Sequence, residues 1–355
     1  MKTKIVKINP LSIESSKAEL LFAAKIIKSG GLVVFPTETV YGLGADALSS
    51  EAADKIYKAK GRPSDNPLII HISEPSEAKK YTYTNALYDR IAELFMPGPL
   101  TVVMRARECV PEKTRASLPT VAVRCPENPI ARRLIALAGV PIAAPSANLS
   151  GSPSPTSPSH VIDDMDGRAD MIIDGGDCDF GLESTIVKIE DDATLTLLRP
   201  GKITPEELSL VAPVSIAPSV TAALKEGERP LSPGMKYRHY APKAPVLLLD
   251  GDRDSCAKYV NGVEYKKIAL IAYNEDEDFY RETLFCADVF PFGEKKDESA
   301  QAHKLFYLLR ELDKQDYDVI FAPLPEKSGI GLALYNRMIR AAAHRIIKTG
   351  EDSNG

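Results

Sequence analysis

Lys60-Gly-Arg-Pro-Ser-Asp-Asn-Pro-Leu-Ile-Ile-His71 packs a helix end, a braced turn and a strand into one short run. The helix is read over residues 50–59, with Ala53, Ile56 and Tyr57 on its inner face. Gly61 stops it, and Pro63 and Pro67 forbid its continuation. Leu68 to Ile72 is apolar and of strand length. Helix, stiff turn and buried strand in succession point to an α/β fold. The turn also holds Lys60 and Arg62 in place. A guanidinium fork and a compact ammonium together suit phosphate or carboxylate. A basic surface turn is the plainer alternative.

The same alternation extends outward. Ser16-Lys-Ala-Glu19 reads as a capping box opening a helix that Gly30-Gly31 ends. Leu32 to Phe35 is a short strand, delivering Pro36-Thr-Glu-Thr-Val-Tyr-Gly-Leu-Gly44. Hydroxyls and one carboxylate directly after a strand fit a ligand loop, or equally a turn whose Thr side chains satisfy local backbone groups. Downstream, residues 85–95 read as a helix and 100–104 as a strand. Thr120 to Arg124 is a strand with Arg124 at its exit, and 129–138 is a helix. Val140 to Ala144 empties into Pro145-Ser-Ala-Asn-Leu-Ser-Gly151, small polar residues that allow close approach to a ligand. A histidine near a strand end, as His71 is, is more often structural than catalytic. Ser184 to Ile189 and Thr194 to Arg199 read as a hairpin, and Thr204-Pro-Glu-Glu207 as a capping box.

The 355 residues suggest two domains. A formal charge of -5 argues against a nucleic-acid binder over the whole chain. The five cysteines include no Cys-x-x-Cys pair, so no zinc knuckle is indicated, and their scatter fits a reducing, cytoplasmic setting. The opening residues lack the apolar core of a secretory leader. The longest apolar run, about 134–145, falls short of the roughly 20 residues a membrane helix needs. Prolines cluster over 213–245, which reads as a linker. Within it, Leu231-Ser-Pro-Gly-Met-Lys-Tyr-Arg-His-Tyr-Ala-Pro242 is too rich in aromatic and basic side chains for a passive tether. From Val246 strands and helices alternate again, ending in a long helix over 330–347. That pattern implies a smaller Rossmann-like parallel sheet. The domain boundaries expected are therefore 1–212, a linker or strap over 213–245, and 246–355. Walker, zincin, nucleophile-elbow and kinase motifs are all missing. The residues alone reach a small-molecule enzyme or binder with an anion site, working by positioning and charge neutralisation.

The motifs Pro36–Gly44, Lys60-Gly-Arg-Pro63, Asn66-Pro-Leu68, Pro97-Gly-Pro-Leu-Thr101, Arg124-Cys-Pro126, Ala144–Gly151 and Ser184-Thr-Ile-Val187 stand in the order of one family. The chain resembles the YrdC-like threonylcarbamoyl-AMP synthases, in their long two-domain form. The resemblance implies a twisted mixed α/β sheet with a concave cavity. It implies synthesis of threonylcarbamoyl-adenylate and pyrophosphate from ATP, L-threonine and bicarbonate, with Mg²⁺ accompanying the ATP; no metal ligands are assigned. By resemblance Thr39, His71, Arg124, Ala144 and Ser184 hold threonine. Lys60, Arg62, Asn66, Thr120, Ser146, Asn148, Ser154 and Arg199 hold ATP, and Tyr237, His239 and Tyr240 of the strap close over it. Lys60 and Arg62 carry the catalytic charge. The product would pass to a separate tRNA threonylcarbamoyl-transferase machinery, with weak direct tRNA contact allowed and no membrane involved. Three other readings stand beside this one. They are a double-stranded RNA or tRNA-binding module, a carbamoyltransferase of the hydrogenase-maturation type, and a metabolite-binding regulator without chemistry.

Overall fold

The computed structural model describes residues 2–222 and 240–350, which divide into two compact units. One holds the chain through Ser150 and again from Ser154; the other holds Gly151–Pro153 with the residues from 240 onward.

The first unit is built on an eleven-stranded mixed sheet. Its strands are β1 (Lys4–Lys7), β2 (Val33–Phe35), β3 (Gly42–Asp46), β4 (Ile69–His71), β5 (Leu100–Arg105), β6 (Thr120–Arg124), β7 (Ile142–Ala143), β8 (Met171–Asp174), β9 (Thr185–Ile189), β10 (Leu195–Arg199) and β11 (Val214–Ile216). They lie in the order β1-β8-β2-β3-β7-β4-β6-β5-β9-β10-β11.

Register explains where a site can form. Residues directly opposite on neighbouring strands share a face, and a strand's faces alternate with period 2. Val33 pairs with Gly44, Ala45 with Ala143, His71 with Ile142 and with Arg124, and Arg124 with Thr101. One face therefore runs from Val33 and Phe35 through Gly44 and Ile142 to His71, Arg124 and Thr101. Toward β2, the helices Lys17–Lys28 and Pro129–Ala138 cover it. Leu20, Ile27, Ile130 and Leu134 pack there on Val33, Phe35, Ile142 and Met171. Each such side chain contributes roughly 1.5–3 kcal/mol by burial. Toward β9 the same face turns polar, and only a small apolar patch (Ile69, Val103, Ala122, Ile186, Leu198) remains.

The second unit is a five-stranded sheet, parallel throughout. Its strands are β12 (Val246–Asp250), β13 (Ile268–Ala272), β14 (Ala287–Pro291), β15 (Val319–Pro323) and β16 (Ile346–Lys348), in the order β14-β13-β15-β12-β16. Its core includes Leu247, Val260, Leu270 and Phe321.

Three expectations are corrected. Ser16 makes no side-chain cap; a 3-10 turn over Ile13–Ser16 leads into the helix instead. The long terminal helix stops at Ala341, because Ala343 and His344 adopt positive φ (49° and 62°), and the chain re-enters the sheet as β16. The proline-rich stretch is not all linker, since Val214–Ile216 pairs with β10. The hairpin over Thr185–Arg199 forms as read, and Thr204 caps its helix reciprocally with Glu207.

Candidate functional site

The helix Ser50–Lys60 aims the first cation. Ser49 Oγ caps it by accepting from Ala52 N at 3.2 Å. Gly61 ends it at φ 62°, a left-handed conformation that costs a residue with a Cβ roughly 1–2 kcal/mol. Lys60, in the last turn and 2% exposed, donates to Ser146 O at 2.6 Å and Asn148 O at 2.5 Å. Ser146 Oγ donates to Asn148 Oδ1 at 2.5 Å. Arg62 donates to Pro67 O at 3.1 Å. Asn66 is 1% exposed, yet its Oδ1 has no hydrogen-bond partner among the described residues. A buried amide oxygen left so costs about 1–3 kcal/mol, so it marks a place for a ligand donor.

These residues gather at one end of the strands. Ile69 pairs with Ala122, which puts Pro67 level with Thr120. Ala144 N donates to Ile69 O at 2.9 Å, so Ser146 follows at the same end. Lys60, Arg62, Asn66, Thr120, Ser146 and Asn148 thus share the amino end of β4 and β6.

The other cluster lies at their carboxyl end. Arg124 NH2 donates to Glu38 Oε1 at 2.7 Å, in an ion pair whose side chains are 5% and 7% exposed. That contact shows the β2–β3 turn folded over the sheet. Thr37 Oγ1 fixes the turn by donating to Val40 O at 2.6 Å and lying 2.9 Å from Thr39 Oγ1. His71 Nδ1 lies 3.3 Å from Ile142 O. Burial, reinforced by the neighbouring Arg124 charge, holds the His71 imidazole down at about 3, so it is neutral at physiological pH. Thr101 Oγ1 is 2.8 Å from Ser184 Oγ, and Arg199 NH2 donates to that same hydroxyl at 3.1 Å. Ser154 Oγ donates to Glu183 Oε1 at 2.5 Å. Thr120 and Arg124 are the first and last residues of β6, so the two clusters stand roughly 13 Å apart at the strand rise.

The resemblance assigns Ser154 and Arg199 to ATP; Ser154 stands beside Glu183, and Arg199 beside Ser184. Tyr240 belongs to the second unit, where its ring stacks on Phe306 at 5.1 Å. Tyr237 and His239 lie outside the described residues. Thr101 and Glu183 were given no role in the sequence reading, and Glu38 only that of the one carboxylate on a candidate ligand loop. Glu38 meets Arg124 across 86 positions, and no local pattern announces a contact of that kind.

Chemically, the first cluster suits phosphates, which a cation, a hydroxyl and amides can hold. The second offers a guanidinium, hydroxyls and carboxylates, a set that suits a zwitterion. No cluster of three or more His, Cys, Asp or Glu side chains fit to cage a metal occurs among the described residues. The nearby thiol of Cys178 is pushed well up, first by burial and then by the Glu38 charge, which disfavours its thiolate.

The chain is similar to known proteins. A family model described as telomere recombination, covering Sua5, YciO and YrdC proteins, matches residues 25–201. One for the threonylcarbamoyl-AMP synthase C-terminal domain matches residues 203–343. A threonylcarbamoyl-AMP synthase of Pyrococcus abyssi is 43% identical over 343 residues, 93% of this chain and 96% of that protein. Its Bacillus subtilis counterpart is 38% identical, over 95% and 96%. The crystal structure of P. abyssi Sua5 complexed with L-threonine matches with a TM-score of 0.86 at 39% identity, over 98% of this chain and 99% of that one.

Proposed function

The chain belongs to the threonylcarbamoyl-AMP synthase family in its two-domain form, and from that premise we propose how its residues make the adenylate. The reaction is a nucleotidyl transfer from ATP that builds threonylcarbamoyl-AMP for tRNA modification. The observation that carries our assignment is the pair of clusters at opposite ends of β4 and β6. The Arg124 end takes threonine: the guanidinium faces its carboxylate, while Thr39, His71 and Ser184 surround the amine and hydroxyl, and the Ala144 backbone, opposite Ile69, borders threonine on the side toward the phosphates. The Lys60 end takes the triphosphate, with Arg62, Asn66, Thr120, Ser146 and Asn148.

The threonine amine attacks the carbon of bicarbonate, a C–N bond forms, a C–O bond breaks and water leaves, giving the N-carboxylate. The new carboxylate oxygen attacks the α-phosphorus of ATP, a P–O bond forms, and pyrophosphate leaves with the electrons of the broken bond. Lys60 and Arg62 neutralise the charge growing on the phosphates. Mg²⁺ would enter with the triphosphate and would share with Lys60 and Arg62 the neutralising of its charge. Ser154 and Arg199, which rest on Glu183 and Ser184, also serve ATP. We place the reaction in the cytoplasm. The product passes to a separate tRNA-modifying transferase, with at most weak direct contact to tRNA.

Pyrophosphate release tests this reading directly. Release that requires both L-threonine and bicarbonate, with a threonylcarbamoyl-adenylate mass in the product, is the expected result. Release indifferent to threonine would overturn the assignment of the Arg124 end.

A further inference from the structure

A cavity of about 270 Å³ opens in the second unit at the carboxyl ends of β12, β13 and β15. Open parallel sheets bind their ligands at this end. Its floor is apolar, with Leu249, Leu270 and Ala272 all buried. Its rim carries two charges of each sign, Asp252 and Asp276 against Arg253 and Lys295. Arg253 NH1 stands 3.9 Å from Asp276 Oδ1, beyond hydrogen-bonding distance. Lys295 Nζ lies 5.8 Å from the centre of the Tyr273 ring.

Two features decide the ligand class. The helix Arg253–Asn261 starts here, which would suit a phosphate. Its end is already occupied: Asp252 accepts from Ser255 N at 2.8 Å and from Ser255 Oγ at 3.1 Å. That fixed carboxylate, held below its ordinary range by the same bonds, repels a second anion. The volume also lies under the roughly 300–1,000 Å³ of sites for drug-sized ligands.

We propose that this cavity binds a free α-amino acid with a short side chain. The rim carboxylates take its ammonium, Arg253 and Lys295 take its carboxylate, and the floor takes the side chain. This site is separate from the threonine position on the first unit and does not depend on how that one is assigned.

Hydrogen exchange on the full-length protein tests it, with L-threonine, L-alanine, AMP and inorganic phosphate added one at a time. Either amino acid should slow exchange at least threefold in peptides spanning 249–257 and 270–280, and phosphate and AMP should not. In the Asp276→Ala, Lys295→Ala double variant that protection should vanish, while threonine still protects peptides around residues 37–41 and 120–126. Absent protection, equal protection in the double variant, or protection by phosphate or AMP instead would each overturn the proposal. A local readout backs this up. The chain has no tryptophan, so Tyr273→Trp reports on the cavity alone. Its emission should saturate with L-alanine and stay flat with acetate or methylammonium. A flat response to L-alanine as well would sink the idea.

Discussion

At the scale of single residues, the two clusters separate binding from folding in different ways. Lys60 donates to two loop carbonyls, but those loops are also tied by Leu43 N to Pro145 O and Ala147 N to Tyr41 O, at 2.9 and 2.8 Å. Lys60→Ala should therefore lower adenylate formation by about 10²–10³ while the circular dichroism spectrum is kept. A fully active variant would remove the cation from the mechanism. His71 couples the site to pH. Its folded value of about 3 lies below the ordinary 6.5, so between those values the unfolded chain takes up a proton that the native site refuses. Stability falls as pH drops below 6.5, by about 1.4 kcal/mol per unit, or about 2 kcal/mol at pH 5. Urea midpoints at pH 7 and 5 should show this loss, and His71→Gln should flatten it; an unchanged slope would mean that other groups dominate.

At the scale of elements, the sheet needs close packing where its face changes from core to site. A Cβ on Gly44 would stand 2.6 Å from Phe35 Cε1 and 2.7 Å from Ile142 Cγ2. Gly44→Ala should therefore push β3 away from its neighbours and cost about 1–3 kcal/mol, read as a lower denaturant midpoint with unchanged m-value. The helix Ser50–Lys60 was legible because its cap and its stop are local: Ser49 at one end, Gly61 and two prolines at the other. The same logic failed for the terminal helix, since nothing in residues 340–347 forces the positive φ at Ala343 and His344. The pairing of Ile346–Lys348 with β12 selects that bend. β3 escaped notice for a related reason: Gly42 and Gly44 have weak strand preference, and sheet packing overrides it.

At the scale of the whole molecule, the two ends of β4 and β6 should respond to their substrates separately. A ligand at 100 times its Kd adds about 2.7 kcal/mol of stability, on the order of 5–10 °C for a unit of this size. Thermal scans should show a threonine shift that Arg124→Ala abolishes and an ATP shift that Lys60→Ala abolishes. Loss of both shifts in either variant would mean one merged site. The sequence by itself determined the alternation of helices and strands, the two-sheet organisation and most of the polar loops, because caps, glycines, prolines and apolar periodicity act over a few positions. Only the tertiary structure decided that Glu38 pairs with Arg124, that Glu183 meets Ser154, and that Thr101 and Arg199 share the Ser184 hydroxyl. Those partners lie far apart along the chain, and the register of a mixed sheet, set by burial of its whole face, is what brings them together.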